Sequence, residues 1–483
     1  MVYNFLRKLS FAFIVVSIAS ACSEDEIVPD PQEPQSESLE NVVVVLGNKT
    51  GDTKEEKLLI SENWSVQNNE DWFSVEPLSG FAGENKLVVK ALKSNEKGME
   101  RVAFFNIVER SRSSKIYVVQ EGVPTLNLST EKVAVSSNSQ EFGISLSANI
   151  EFDVVSKADW ITVGDIQSEE GEMLAEGKAK SSLVSSVIKI AVKDNSAEGA
   201  QDRSGMVVIV ANGQEYTVEI NQMGGNMSVD FSKVFRRRSL MLRFTATWCG
   251  YCPMMGQAVE DAVEMYPGHI IPMFVHASNS RGGMAYEKAE EFERMYKVSG
   301  YPTGVFNSMV TFGNQSSIAD TKEAIVNLAK EAVADLPSNT AIAGIATARE
   351  GRIFVDLEMA AKEAGEYNLC AFVLEDGIVF KQENGGKDYV HDYVIRKDMC
   401  GTAGTAVELQ AKKVVKKTIS ISMPISVKDL NNCHVLVYLA KNVSASETFV
   451  GHVENMTYGN FGAYVDNVCD IPLGGFARFL YEE

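Results

Sequence analysis

Hydrophobic and polar positions divide the chain into three textures. From about residue 40 to 225 they alternate in short runs. Lys86-Leu87-Val88-Val89-Lys90, Lys115-Ile116-Tyr117-Val118-Val119, Ser186-Val187-Ile188-Lys189-Ile190 and Glu215-Tyr216-Thr217-Val218-Glu219 suit half-buried strands, with Gly, Asn and Ser clusters between them. From about Arg236 the period changes. Ser239 to Thr247 is an apolar strand, and Val259, Ala262, Val263 and Tyr266 then share one helical face that Pro267-Gly268 ends. Ile270 to Val275 predicts a second strand, and an amphipathic helix is expected from about Ala285 to Tyr296. Gly304-Val305-Phe306 follows as a short strand, and Ile325, Leu328, Ala329, Ala332 and Val333 mark a closing helix. Beyond Asn339 the alternation returns, clearest in Arg352–Met359, Asn368–Leu374, Thr418–Met423 and Val435–Leu439. The pattern therefore predicts a multidomain chain of two β-sandwiches, an α/β unit and a C-terminal β-sandwich.

The first residues have a different logic. Arg7 and Lys8 precede an apolar stretch from Phe11 to Ile18, then Ala19-Ser20-Ala21-Cys22. That stretch is too short to span a bilayer and has the layout of a secretory signal. Small residues before a cysteine resemble the lipobox of bacterial lipoproteins, which implies lipid attachment at Cys22. The Ser23-Glu24-Asp25-Glu26 run, with the Pro/Glu/Ser/Gln stretch to about Ser38, reads as a solvated tether. An acidic run after the acylated cysteine also resembles the surface-export signal of Bacteroidetes lipoproteins. The expected limits are 1–21 leader, 22–39 tether, 40–123 and 124–225 sandwiches, 230–337 α/β unit and 338–483 final sandwich.

The two sandwiches repeat one another. Asn63-Trp64-Ser65-Val66 before Asp71-Trp72-Phe73-Ser74-Val75 matches Glu151-Phe152-Asp153-Val154 before Asp159-Trp160-Ile161-Thr162-Val163. Arg101 with Gln120-Glu121-Gly122 matches Arg203 with Gln222-Met223-Gly224, at a longer spacing from the tryptophans. The second copy thus carries an insertion, most naturally in Gln167–Ser182. The acid-Trp pair, the Arg and the closing Gln-x-Gly resemble the BACON domain of Bacteroidetes, which implies either carbohydrate or mucin binding or a spacer role. Trp64, Trp72 and Trp160 have two readings, sugar stacking or core packing.

The α/β unit carries the candidate chemistry. Its first strand runs into Trp248-Cys249-Gly250-Tyr251-Cys252-Pro253 at a helix start, and Gly300-Tyr301-Pro302-Thr303 precedes a later strand. A thiol at a helix N-terminus is favoured as thiolate by free N–H groups and the helix dipole, and a second thiol one turn on can resolve a mixed disulfide. The order resembles a thioredoxin fold. The resemblance implies Cys249 as nucleophile, Cys252 as resolving thiol, Pro302 as a cis-proline, and Trp248 and Tyr301 flanking the sulfurs. Six residues before Cys249 many thioredoxins have a carboxylate; here it is Arg243, which cannot exchange protons in that way. His276, ending the neighbouring strand, is either a substitute proton shuttle or a strand-end His facing water. No second Cys/His pair supports a zinc site, and no motif implies a metal or other cofactor.

In the last quarter, Ala371–Ile378, Tyr389–Arg396 and Cys433–Tyr438 resemble Omp28-related outer-membrane proteins, and His391-Asp392 reads as a strand-edge pair. Cys370, Cys400, Cys433 and Cys469 could form two bridges or remain buried thiols. The formal net charge of −20 argues against nucleic acid as a partner. Two functions follow as expectations. One is a thiol-disulfide oxidoreductase acting on extracytoplasmic proteins from an outer-membrane lipid anchor. The other is a glycan- or mucin-binding or structural surface lipoprotein in which the thioredoxin-like unit is a scaffold.

Overall fold

The computed structural model describes residue 39 and residues 42–175, 179–442, 457–458 and 462–482. The leader, Cys22 and the acidic tether lie outside the described residues. Within them the chain is multidomain and rich in β structure, as the alternation predicts.

In the first sandwich, a sheet containing Val43–Leu46, Ser113–Gln120, Arg101–Glu109 and Trp64–Gln67 faces a second made of Thr53–Ile60, Gly83–Ala91 and Phe73–Glu76. The alternating runs bury one side: Leu87, Val89, Ile107, Ile116 and Val118 are core, and the intervening lysines are exposed. The second sandwich repeats the plan with two four-stranded sheets. Its extra segment holds a small hairpin, Met173–Leu174 against Ala179–Lys180. That insertion reaches back to the first sandwich, where Ala175 packs on Tyr117 and Val119 and Glu100 accepts from Ser181 Oγ at 2.7 Å.

The repeat's landmarks converge on a polar clamp. Arg101 stacks over Trp72 at 4.5 Å and donates to Gln120 Oε1 at 2.7 Å. Gln120 Nε2 in turn donates to the Gly47 and Lys93 carbonyls. Arg203 stacks over Trp160 at 4.3 Å and donates to Gln222 Oε1, whose amide reaches the Ser137 and Lys193 carbonyls. The glycine two residues on is needed for close approach: a Cβ on Gly122 would lie 2.4 Å from the Gly98 carbonyl oxygen. Trp64, Trp72 and Trp160 are only 3, 6 and 8 % exposed and belong to the cores. This corrects the sugar-stacking reading, because a ring face already covered by protein offers no platform to a glycan.

The α/β unit and the last quarter share a sheet. Its order runs Thr457–Tyr458, Val310–Phe312, Thr303–Phe306, Ser239–Thr245, Ile270–His276, Val394–Asp398, Gly365–Glu375, Cys433–Asn442 and Ala463–Pro472. The limit at 337/338 thus falls in the connection between two parts of one platform. Ser239–Thr245 is buried along its whole length, as an apolar run between neighbours on both sides should be. Helices α1 (Cys252–Met265) and α3 (Ile318–Asp335) pack together on one face through Val259, Ala262, Ile325 and Ala329. Helix α2 (Ala289–Met295) lies on the other, shorter than the expected 285–296, with Phe292 against Phe372 and Tyr438. The expected C-terminal sandwich is completed by Val414–Ser422, Arg352–Ala361 and Thr340–Arg349. These pack Val355, Leu357 and Met359 onto Val373, Val437 and Ile471. Cys370, Cys433 and Cys469 are buried and Cys400 is half-buried, all as free thiols. Burial pushes the Cys370 and Cys433 thiols up to about 12, so they are protonated at neutral pH.

Candidate active site

The Ser239–Thr245 strand delivers its C-terminal end to a tight turn, closed by the Cys249 N–H donating to the Ala246 carbonyl at 3.0 Å. Helix α1 starts at Cys252 with Pro253 in its first turn, where a missing N–H costs nothing. Cys249 and Cys252 are bonded to each other, with Cα atoms 5.4 Å apart. Cys252 is fully buried and Cys249 is 5 % exposed, whereas Trp248 and Tyr251 beside them are 48 and 76 % exposed. The thiol pair therefore sits just inside an aromatic rim.

Across from the pair, the Tyr301-Pro302 peptide is cis, as the resemblance implied. Tyr301 packs against Ala246, Cys249, Cys252 and Ala277, and its ring edge meets Trp248 at 5.6 Å. Its hydroxyl donates to Glu293 on α2, while Trp248 Nε1 donates to Asn279 Oδ1 at 2.9 Å. Burial first, and then Glu293, push the Tyr301 hydroxyl up, so it stays a donor.

Beneath the loop is a buried polar chamber. The Arg243 guanidinium lies 3.9 Å from the centre of the Phe274 ring and donates to Thr245 Oγ1 at 3.2 Å. It lies under α1 at Gly256, one turn past Cys252: a Cβ there would meet Arg243 Nη1 at 2.2 Å and the Tyr389 hydroxyl at 2.9 Å. No carboxylate is hydrogen-bonded to it among the described residues. His276 is 1 % exposed, and neither ring nitrogen has a hydrogen-bond partner among the described residues. The expectation of a water-facing strand end is thus corrected, because the hairpin Ile378–His391 covers that end. His276 lies 5.5 Å from His391, which lies 4.8 Å from Tyr389. Burial, and then the Arg243 charge, hold His276 well below its ordinary range and push His391 down to about 4. Both imidazoles are neutral at pH 7. Burial raises Glu260 against the pull of Arg243.

The structure thus brings Cys249, Cys252, Trp248, Tyr301 and Pro302 together, with Arg243 and His276 behind them. Sequence reasoning missed the hairpin. His391 does end an edge strand, as expected, but it is only 2 % exposed and faces this chamber, while Asp392 accepts from the Gly377 N–H. Nothing in the local pattern of Ile378–His391 signals where that hairpin docks.

Models of known protein families agree with this layout. A family model described as thioredoxin matches residues 208–331, and one for outer membrane protein Omp28 matches 289–458. A viral BACON domain model matches 52–123, and a BACON model described as a putative binding domain matches 151–223. The chain therefore combines two BACON regions with thioredoxin and Omp28 regions, and the last two overlap across the shared sheet. No curated protein is a significant match. Among solved structures, HBP35 of Porphyromonas gingivalis is similar at 16 % identity and a TM-score of 0.40, covering 52 % of this chain and 80 % of its own. A protein of Agrobacterium tumefaciens is similar at 11 % identity and a TM-score of 0.33, covering 51 % of this chain and 99 % of its own.

Proposed function

We propose that this protein is a cell-envelope thiol-disulfide oxidoreductase acting on extracytoplasmic protein thiols and disulfides. The observation that carries the reading is the bonded Cys249–Cys252 pair at the start of α1, opposite a cis Tyr301-Pro302 peptide. In the reducing direction, the Cys249 thiolate attacks a substrate disulfide and forms a mixed disulfide. The leaving substrate sulfur takes up a proton. Cys252 then loses its proton and attacks Cys249 Sγ, which releases the second substrate thiol and leaves the intramolecular disulfide. Two electrons pass to the substrate; oxidation is the same sequence reversed.

Arg243 cannot accept the Cys252 proton. His276, a buried and neutral imidazole on the strand beside Arg243, takes that part in this reading. The Omp28 match supports a cell-envelope location, and no helix among the described residues is long and apolar enough to cross a membrane. Attachment through lipid on Cys22, with display at the outer-membrane surface, completes the reading. The two sandwiches then act as spacers.

The test is dithiothreitol-dependent reduction of insulin by a soluble chain beginning near Asn41. Wild type is expected to accelerate it and Cys249→Ser to lose at least a hundredfold. A wild-type rate no higher than the uncatalysed one overturns the reading.

A further inference from the structure

The hairpin formed by Ile378–Gln382 and Gly386–His391 pairs only within itself, yet it reaches across the dithiol loop. Gln382 is 1 % exposed, and its amide nitrogen donates to the carbonyls of Ala246 at 3.1 Å and Cys249 at 2.9 Å. Two carbonyls can only accept, so the nitrogen must face them. The Glu383 N–H donates to the Thr247 carbonyl at 2.9 Å, and Asn384 Nδ2 to the Gly250 carbonyl at 3.1 Å. The carbonyls of Ala246, Thr247, Cys249 and Gly250 are therefore all answered by one hairpin from a distant part of the sequence.

This pattern has an electrostatic consequence. Carbonyl oxygens crowded around a sulfur oppose negative charge on it, and donors that engage them offset that opposition. Ala246 and Cys249 are also the two ends of the turn that carries the nucleophile, so one amide bridges both. We infer that Gln382 is a positioning residue of the dithiol, one that fixes the Cys249 turn and favours the Cys249 thiolate. It acts through the backbone and need not touch substrate. The inference rests on the redox reading of the pair, but thiol reactivity can be read without any substrate.

Packed against Cys249 are Cys252 on α1 and Tyr301, whose hydroxyl donates to Glu293; His276 and Arg243 lie on the neighbouring strands, and Glu383 pairs with Lys381 on the hairpin. All stay in place when only Gln382 is changed. The experiment is alkylation of Cys249 by iodoacetamide across pH in the reduced soluble chain, followed by peptide mass mapping. Gln382→Glu keeps the shape but turns an acceptor toward two acceptors; Gln382→Met keeps the volume without a donor. Both are expected to raise the pH midpoint of Cys249 alkylation by about one unit, a tenfold loss of thiolate below that midpoint. Variants with wild-type thermal midpoints and an unmoved alkylation profile overturn the inference. Should both misfold, Asn384→Ala at the exposed tip is read instead. A smaller shift in the same direction supports the inference, and no shift overturns it. Absent insulin reduction by the wild type would sink the enzymatic reading while leaving this result interpretable.

Discussion

The Trp/Arg/Gln clamps of the sandwiches and the dithiol region place buried polar side chains under opposite conditions. In each sandwich an arginine lies over a tryptophan and donates to a glutamine that itself bridges two carbonyls, so the network closes. Under the dithiol, Arg243 is enclosed with the Thr245 hydroxyl at 3.2 Å and no hydrogen-bonded carboxylate among the described residues, and its Nε and Nη1 and both His276 nitrogens lack a well-placed partner there. A closed polar network rigidifies a fold, whereas buried polar groups left open cost stability and persist where chemistry uses them. The comparison separates the repeat's landmark residues, whose polar groups answer one another, from the chamber beneath the dithiol, whose polar groups do not.

The comparison can be broken most forcefully at Trp160. Trp160→Ala should cost the second sandwich about 3–5 kcal/mol, read as a large drop in the calorimetric transition of that domain. A variant that keeps its transition and loses binding on a glycan array would return the tryptophan to a surface role. Next comes Gln222→Ala, which removes the acceptor of Arg203 Nε and the donor that reaches the Ser137 carbonyl. About 2–3 kcal/mol of the same transition should disappear. The histidines give a smaller, pH-dependent effect. Held neutral when folded, His276 and His391 bind protons more readily once unfolded, so stability is present above the ordinary value of 6.5. It is lost as pH falls toward about 4 for His391. Replacing both with phenylalanine should flatten the acid limb of thermal midpoint against pH, and an unchanged limb would remove the chamber from the account. Smallest of all is the stability effect of Arg243→Met, expected within about 1 kcal/mol of wild type because its charge lacks a paired carboxylate. A loss as large as that of Gln222→Ala would show that the two arginine environments are alike.

Much of this architecture is written in local pattern. Alternation at Lys86–Lys90 and Glu215–Glu219, the doubled Trp/Arg/Gln-x-Gly landmarks, and a cysteine pair between strand and helix each specify their own surroundings. So does Tyr301-Pro302. What local pattern does not carry is docking between distant segments. Gln382 meets Cys249 across a separation of 133 residues, and its sequence neighbourhood reads as an ordinary hairpin. The same blindness exposed His276 on paper and buried it in the fold. The C-terminal strands were legible as strands, but their continuation of the thioredoxin-like sheet past Ile270–His276 runs through one short junction, with Phe274 opposite Val394 and its N–H bonded to the Tyr393 carbonyl, while Thr457–Tyr458 joins the far edge at Val310–Phe312.

That junction has a consequence for anyone dissecting the chain. Ile270–His276 has a companion on each flank, Ser239–Thr245 and Val394–Asp398. A fragment stopped after α3 would strip one flank bare and present a fresh adhesive border to other copies of itself. It would also lift the roof from the sulfurs. The dithiol is then portable only together with the wall it leans on.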